Sequence, residues 1–273
     1  MKYQANIGII LRDDELLQKY NFEQIEVETD YGTCKRVYIG KIGNNNVAML
    51  YGRFEGMRTP SWGINYKQNQ MAFSELGVKF IIGTFIVGSI SSAHRAGDIF
   101  VPDNFVGLNS YYENLIVDRP FKNVDVYEPF CPNVRKAIMS SAEKINIPTK
   151  EGVYLSFTGL PRIETKAELN LYEKLGLDIV GQTLDPEVTL AKQMGCHYGA
   201  VCALTDDVTI RKMFSDKPEE SRKINNSFIK SGRKKMAEII ETMLISTDFG
   251  EMSGCSCEYK FTEEENFFSD KPL

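Results

Sequence analysis

Residues 178–207, DIVGQTLDPEVTLAKQMGCHYGAVCALTDD, contain in succession a strand, a polar turn, a helix and a second strand. The first strand is predicted over 178–180 and is followed by Gly-Gln-Thr. Pro186 fits the first turn of the helix, where a missing backbone N–H is tolerated. The helix is predicted to end at Gly195, and the apolar run 197–204 is typical of a strand buried on both faces.

Polar side chains follow each of these two strands. Gln182 and Thr183 come after the first strand, and Thr205 and Asp206 come at the end of the second. In an open α/β sheet, ligands bind beyond the carboxyl ends of the strands. The sequence therefore predicts that these four side chains lie on one rim of the sheet and form a candidate site.

The composition predicts a soluble globular protein. The chain has 273 residues, 42% of them hydrophobic and 25% charged, with a net charge of −5. Charges of both signs are interspersed, which does not favour a nucleic-acid partner. The sequence has no apolar run of the ~20 residues that a membrane span needs, and the N-terminus lacks the apolar region of a signal peptide, so a cytoplasmic location is expected.

Shorter adjacent strands fill the first half of the chain, and strands alternate with helices in the second half. Further strands are predicted at 5–11, 23–30, 35–41, 46–52, 79–87, 99–106 and 152–157, and helices at 61–76, 133–145, 164–175 and from Pro218 onward, with a long loop at 107–129. This order predicts a single α/β domain with a mixed, twisted central sheet flanked by helices. The domain is predicted to cover 1–247, and 248–273 is predicted to be an irregular, acidic C-terminal tail.

Six cysteines are scattered along the chain, with no CxxC pair and only two histidines. This spacing does not predict a structural zinc site. Cys196 and Cys202, in or beside a predicted strand, are interpreted as buried thiols. Cys255 and Cys257 in the tail are interpreted as plain thiols, with a reducible disulfide as the alternative.

Several short motifs occur in an order that is typical of one protein family. They are GII near the N-terminus, NYKQN at 65–69, GSI at 88–90, AGDIFVPDNF at 96–105, EPFCP at 128–132, ETKAE at 164–168, and DPEVTLAKQMG at 185–195 followed by LTDD. Each motif alone is weak, but the ordered set spans about residues 5–245. It resembles the trimeric purine nucleoside phosphorylases, and most closely their methylthioadenosine phosphorylase branch.

The resemblance implies an α/β fold whose mixed sheet partly closes into a barrel, assembled as a homotrimer or a dimer of trimers. The implied reaction is a step of purine salvage in which phosphate displaces the purine from C1′ of a nucleoside and gives a sugar 1-phosphate. Inorganic phosphate is the co-substrate, and no metal or organic cofactor is expected.

Asp206 is the candidate catalytic residue by resemblance. The leaving purine gains negative charge, so a proton donor aimed at N7 lowers the barrier. A carboxyl group can donate only while protonated, a form that burial or a neighbouring negative charge favours. In the family, Asp at this position goes with 6-aminopurines and Asn with 6-oxopurines. The alternative interpretation is that Asp206 and Asp207 form an ordinary turn pair.

Two further residues match a phosphate site. Arg53 matches an arginine that binds phosphate through two hydrogen bonds, and Thr183 matches a Ser/Thr of the same site. A surface arginine and a turn hydroxyl are the alternative interpretations.

Substrate contacts are also assigned by resemblance. Glu164 matches a glutamate that faces the purine edge, although capping of a helix explains it equally well. Ile163 replaces the aromatic residue that stacks on the base, and Gln182 replaces a methionine under the ribose. Phe85 and Ile86 stand where small residues let the base approach the backbone. His94 is expected to be a surface or salt-linked histidine rather than a catalyst.

The segment 10–14 departs from the family because it replaces a Gly-rich phosphate-binding turn with Ile-Leu-Arg-Asp-Asp. Three hypotheses remain open: a phosphorylase with a rearranged phosphate site, a nucleosidase that uses water, and a catalytically impaired protein that binds a nucleoside or pairs with an active paralogue. The first invokes Arg12, Arg53 and Arg58, and the second a carboxylate of Asp13, Asp14 or Glu55. Phosphorolysis is the adopted prediction.

Overall fold

A computed structural model describes residues 3–11, 14–52, 59–108, 124–157, 162–207, 216–252 and 254–257. The strands are β1 (Ile7–Leu11), β2 (Phe22–Val27), β3 (Cys34–Ile42), β4 (Asn45–Tyr51), β5 (Phe80–Ser89), β6 (Ile99–Phe100), β7 (Asn104–Gly107), β8 (Thr149–Lys150), β9 (Val153–Ser156), β10 (Ile179–Gly181) and β11 (His197–Asp206). The α-helices are α1 (Glu15–Lys19), α2 (Tyr66–Glu75), α3 (Pro132–Lys144), α4 (Lys166–Lys174), α5 (Leu184–Gln193) and α6 (Pro218–Ser246). Short 3₁₀ helices cover Ser61–Gly63 and Phe249–Glu251.

The described strands form one mixed sheet that branches at β5. The main path runs β2-β3-β4-β1-β5-β10-β9-β7, and β11, β6 and β8 extend from the other edge of β5. β1 and β11 run parallel to β5, whereas β10 runs antiparallel to it. The predicted α/β class, with a mixed sheet flanked by helices, is confirmed. Among the strands that the structure describes, no pairing closes the sheet into a ring.

Helices cover both faces of the sheet, so the core has two main layers. One layer includes buried residues of α2 and α5, and the other includes buried residues of α3 and α6. α6 contributes the buried side chains Met236, Ile239, Ile240, Met243 and Leu244. These layers hold β5 and β11 rigidly at the centre, where both strands are almost entirely buried.

Several predicted elements differ in extent from the observed ones. The strand predicted over 99–106 is split into β6 and β7 around Pro102, whose ring nitrogen has no hydrogen to donate. β5 continues through Gly88 and Ser89, because both residues pair with β10. The sequence did not predict α1 or β8. Most of the loop predicted at 107–129 lies outside the described residues.

The segment that follows α6 packs onto the domain. Phe249 and Cys257 are buried in the same core layer as α6. None of the helices in the described ranges is both long enough and apolar enough to cross a membrane.

Candidate functional site

The candidate site lies where strand ends converge on one edge of β5. β11 covers the other edge of β5 from Phe80 to Gly88. On the near edge, β1 pairs with 80–83 and β10 with 88–89. Because β1 is parallel and β10 antiparallel to β5, their carboxyl ends point toward each other across 84–87.

Two more strands end at this place. Tyr51 at the end of β4 pairs with Leu11 at the end of β1, and Ser156 at the end of β9 pairs with Gly181 at the end of β10. The carboxyl ends of β1, β4, β9 and β10 therefore lie together on the near side of β5. The region beyond such strand carboxyl ends is the usual place for a ligand in an α/β sheet.

Gln182 and Thr183 follow β10 directly. Gln182 is half-buried and Thr183 is 4% exposed. Thr183 is the N-cap of α5, yet its side chain makes no capping hydrogen bond. The hydroxyl group of Thr183 is thus not used to cap α5.

A β-bulge places the polar end of β11. Leu204 pairs with Val87 and Asp206 with Gly88, so Thr205 is the extra residue between them. Bulges re-aim side chains and are frequent beside active sites. Thr205 is buried and Asp206 is half-buried.

Asp207 has a different task from Asp206. Its Oδ2 accepts a 2.8 Å hydrogen bond from the backbone N–H of Ala96, and the side chain is buried. Asp207 therefore holds the turn before β6 against the end of β11. The turn-pair interpretation fits Asp207, and it leaves Asp206 as the carboxyl group of the pair to be considered for chemistry.

Val180 and Asp206 flank the same residue of β5. Both pair with Gly88, Val180 from the near edge and Asp206 from the far edge. Two strand spacings of ~4.8 Å put their Cα atoms about 10 Å apart. The two polar stretches predicted to share a rim thus lie on either side of the end of β5.

Phe85 and Ile86 point to opposite faces of the sheet. Phe85 is 1% exposed and meets Tyr154 edge-on at 5.8 Å between ring centroids. Tyr154 in turn packs against Gly181, where a Cβ atom would overlap its hydroxyl group. Ile86 is half-buried and packs against the core layer of α3 and α6. The ring of Phe85 thus belongs to the core beneath the turn that carries Gln182.

Ile163 and Glu164 precede α4. Ile163 is 75% exposed, and Glu164 is half-buried. The capping box of α4 is made by Thr165 and Glu168, so capping is not the role of Glu164. Arg162 donates hydrogen bonds of 2.7 Å to both carboxylate oxygens of Glu168, which holds this segment at the start of the helix.

The remaining predicted residues either lie outside the described ranges or make other contacts. Arg53, Arg12, Arg58, Asp13 and Glu55 lie outside the described residues. Asp14 accepts a hydrogen bond from the hydroxyl group of Tyr51. Nε2 of His94 lies 3.0 Å from Oδ1 of Asp178, so the prediction of a salt-linked histidine agrees with the geometry.

Comparison with known proteins places the chain in a family. A family model described as the phosphorylase superfamily matches residues 6–245. The S-methyl-5′-thioadenosine phosphorylase of Saccharolobus solfataricus is 32% identical over 262 residues, which cover 93% of this chain and 94% of the relative. The 6-oxopurine nucleoside phosphorylase of Pyrococcus furiosus is 35% identical over 195 residues, covering 68% of this chain and 73% of the relative.

Solved structures agree on the fold. A methylthioadenosine phosphorylase from Schistosoma mansoni superposes with a TM-score of 0.79 at 24% identity, covering 91% of this chain and 95% of the other. At this identity the likeness concerns the fold alone. The sequence relatives and the matched family model carry the assignment: the chain belongs to the phosphorylase superfamily, in the family of purine nucleoside and methylthioadenosine phosphorylases.

Proposed function

We propose that the protein cleaves the N-glycosidic bond of a purine nucleoside or of methylthioadenosine with inorganic phosphate. A phosphate oxygen forms a bond to C1′ as the bond from C1′ to N9 breaks. The bonding electron pair leaves with the purine, which takes up a proton at N7. The products are the free base and the sugar 1-phosphate.

The convergence of strand ends on 84–87 is the structural observation that carries this proposal. It brings the carboxyl ends of β1, β4, β9 and β10 to one side of β5, with the bulged end of β11 on the other side of that strand. Relatives that align with more than nine tenths of the chain are named as methylthioadenosine phosphorylases. The strand ends favour a ligand site over a purely structural role, and the names of the relatives favour phosphorolysis over hydrolysis.

Asp206 is proposed to protonate N7 of the leaving purine. It follows the bulge residue Thr205 of β11, is half-buried, and precedes Asp207 in the sequence. General acid catalysis of this kind contributes about 10²–10⁴-fold to the rate. Thr205, next to Asp206, is proposed to contact the substrate.

Thr183 and Arg53 are proposed to bind phosphate. Thr183 offers a hydroxyl group at the start of α5, and Arg53 follows the end of β4, which lies beside the end of β1. A guanidinium group holds phosphate through paired, charge-assisted hydrogen bonds. This pair would replace part of the missing Gly-rich turn.

The remaining contacts are proposed to position the nucleoside. Gln182, between β10 and Thr183, would contact the ribose, and Ile163 and Glu164 would approach the base from the segment before α4. Phe85 and Ile86 would contribute mainly through the backbone of β5 between the ends of β1 and β10, because the ring of Phe85 is buried against Tyr154.

We also propose that the protein assembles as a homotrimer, as the family resemblance implies. Light scattering coupled to size-exclusion chromatography tests this independently of activity. A mass of about three times the 31.0 kDa chain, or six times for a dimer of trimers, is expected. A monomer would contradict the proposal.

The test of the reaction measures free base released from methylthioadenosine, adenosine and inosine, each with and without phosphate. Base release that requires phosphate, with a sugar 1-phosphate as the second product, is the expected result. Equal release without phosphate would instead identify a nucleosidase. Absence of release from all three substrates by a correctly folded protein would identify a catalytically impaired family member.

A further inference from the structure

Four side chains with metal-binding groups meet at the start of β11, outside the candidate active site. They are Cys131, His197, Cys255 and Cys257, and one ligand atom from each lies within 4.8 Å of all the others. Cys131 is the N-cap of α3 and His197 is the first residue of β11. The two remaining cysteines come from the segment after α6, so three distant parts of the chain supply the group.

The distances match a tetrahedral metal site. Nδ1 of His197 lies 3.5 Å from Sγ of Cys131 and 3.3 Å from Sγ of Cys255, and the two sulfur atoms lie 3.9 Å apart. Metal–sulfur bonds of ≈ 2.3 Å and metal–nitrogen bonds of ≈ 2.0–2.1 Å in a tetrahedron put sulfur atoms about 3.8 Å apart and sulfur about 3.6 Å from nitrogen. One ion could therefore reach these ligands with only small side-chain shifts.

The surrounding structure holds the group in place. Cys131, His197 and Cys257 are 0%, 3% and 2% exposed. The backbone N–H of Cys131 donates a 2.8 Å hydrogen bond to the carbonyl of Tyr198, which ties the start of α3 to β11. The ring of His197 stacks on Phe80 with 4.5 Å between ring centroids. Two ligands are thus fixed by the domain before the C-terminal segment adds the other two.

We propose that Cys131, His197, Cys255 and Cys257 bind one Zn²⁺ ion as a closed structural site. Three cysteines and one histidine form one of the ligand sets that zinc prefers in tetrahedral structural sites. On binding, the three thiols release their protons to solvent, and neutral imidazole coordinates through Nδ1. Four protein ligands complete the coordination and leave no position for a substrate.

The site is remote from the chemistry proposed above. His197 begins β11 and Asp206 ends it. At ~3.3 Å per residue, the nine intervening steps separate the two by about 30 Å. The zinc ion would therefore act on structure: it would fasten the C-terminal segment to α3 and β11.

The spacing of the cysteines in the sequence argued against a zinc site because no CxxC pair is present. The fold explains why the proposed site has no signature in the sequence. Two ligands come from a CxC pair, and the other two are single residues that only the fold brings together.

The first test measures bound metal. The protein is produced with zinc in the medium and purified under reducing conditions without a chelator. Its metal content is then measured by inductively coupled plasma mass spectrometry. About one zinc ion per chain is expected in the wild type, and at least a tenfold loss in a Cys255→Ala/Cys257→Ala double variant. Cys34→Ala is the matched control, since Cys34 is a buried thiol outside the group, and it should keep its zinc. A metal-free wild type, or equal zinc in the double variant, would overturn the proposal.

The second test uses the wild-type chain alone, so it does not depend on how a variant folds. Zinc is exchanged for Co²⁺, and the expected result is intense visible absorption typical of tetrahedral cobalt together with a thiolate-to-cobalt charge-transfer band. The weak spectrum of octahedral cobalt would contradict the site. Thiols are also counted in denatured, unreduced protein with a chelator present. All six cysteine thiols should react if the site binds zinc. If the protein contains no metal and two fewer thiols react, two of the cysteines form a disulfide in place of the zinc site.

Discussion

The hydroxyl group of Tyr198 donates a 2.6 Å hydrogen bond to Oε1 of Glu187, and both residues are buried. This bond joins β11, which ends at Asp206, to α5, whose N-cap is Thr183. The pair lies against the backbone of β5 at Gly83, where a Cβ atom would overlap the Tyr198 hydroxyl and lie 2.8 Å from Oε1 of Glu187. Glycine is needed here because the two side chains approach the strand so closely.

Gly83→Ala should therefore destabilise the protein. The added methyl group must displace a buried, hydrogen-bonded pair, and overpacking of this kind costs about 1–3 kcal/mol of unfolding free energy. Urea denaturation measures the change. Gly63→Ala is the control, because the nearest atom to a Cβ there is 3.4 Å away, and it should change stability by less than about 0.5 kcal/mol. Equal unfolding free energies of Gly83→Ala and Gly63→Ala would contradict the prediction, because they would show that Tyr198 and Glu187 can move aside without loss of stability.

Phe249→Ala tests whether the segment after α6 is part of the folded domain. Phe249 is 4% exposed and packs edge-on against Phe80, with 5.2 Å between ring centroids. Truncation of a buried Phe typically costs about 3–5 kcal/mol. Leu175→Ala, at a side chain that is 66% exposed, should have little effect in the same urea titration. A near-neutral Phe249→Ala would mean that the segment is held only weakly.

Arg162→Ala should change the titration of Glu168. Hydrogen bonds from Arg162 and from the backbone of Thr165 lower the pKa of Glu168 to about 2. Since this value is below that of the unfolded chain, the interaction stabilises the fold above the unfolded pKa and is lost as the pH falls toward 2. NMR titration of the Glu168 carboxyl carbon should give a pKa of about 2 in the wild type and a higher pKa in Arg162→Ala.

Lys174→Ala is the matched control for this titration. Lys174 lies at the other end of α4, so its removal should leave the pKa of Glu168 at about 2. The same shift in both variants would assign the effect to the general charge of the helix and not to the paired hydrogen bonds from Arg162.

The alternation of strands and helices in the second half of the chain could be predicted, because the local sequence patterns there agree with the tertiary packing. Pro186 lies in the first turn of α5 and Gly195 follows its C-cap Met194, as expected, and the run that begins at His197 is a buried strand. The polar residues after β10 and at the end of β11 could be assigned to strand ends for the same reason. Their arrangement around Gly88 could not be predicted, because no local sequence pattern indicates that β10 runs antiparallel to β5.

Long-range pairing explains what the sequence did not reveal. Gly88 has low strand propensity, yet β5 extends through Gly88 and Ser89 because β10 pairs with both residues and β11 also pairs with Gly88. The group formed by Cys131 and His197 with the tail cysteines is likewise a product of the fold. Motif spacing detects only groups of side chains that are near in sequence, and these four are near only in space.

Thr183→Ala tests the proposed phosphate site. Loss of one hydroxyl donor to a dianion should weaken phosphate binding by about 1.5–3 kcal/mol, which is at least a tenfold rise in KM for phosphate. KM for the nucleoside should change much less. Thr242→Ala is a suitable control, because Thr242 lies in α6, away from the proposed site, and donates a local hydrogen bond to the carbonyl of Glu238. An unchanged KM for phosphate in Thr183→Ala would remove Thr183 from the site.

Asp206→Asn tests both the proton donor and the base preference. Asn cannot supply a carboxyl proton to N7, so kcat/KM for methylthioadenosine and adenosine should fall by about 10²–10⁴-fold. An amide can still bind a 6-oxopurine, so the ratio of inosine to adenosine cleavage should rise. Asp207→Asn is the matched neighbour: its side-chain oxygen can still accept the hydrogen bond from Ala96, so the base preference should stay as in the wild type. The opposite result, in which Asp207→Asn alters the base preference and Asp206→Asn does not, would contradict the proposal. It would exchange the roles of the two carboxylates and mean that the bulge at Thr205 aims Asp206 away from the substrate.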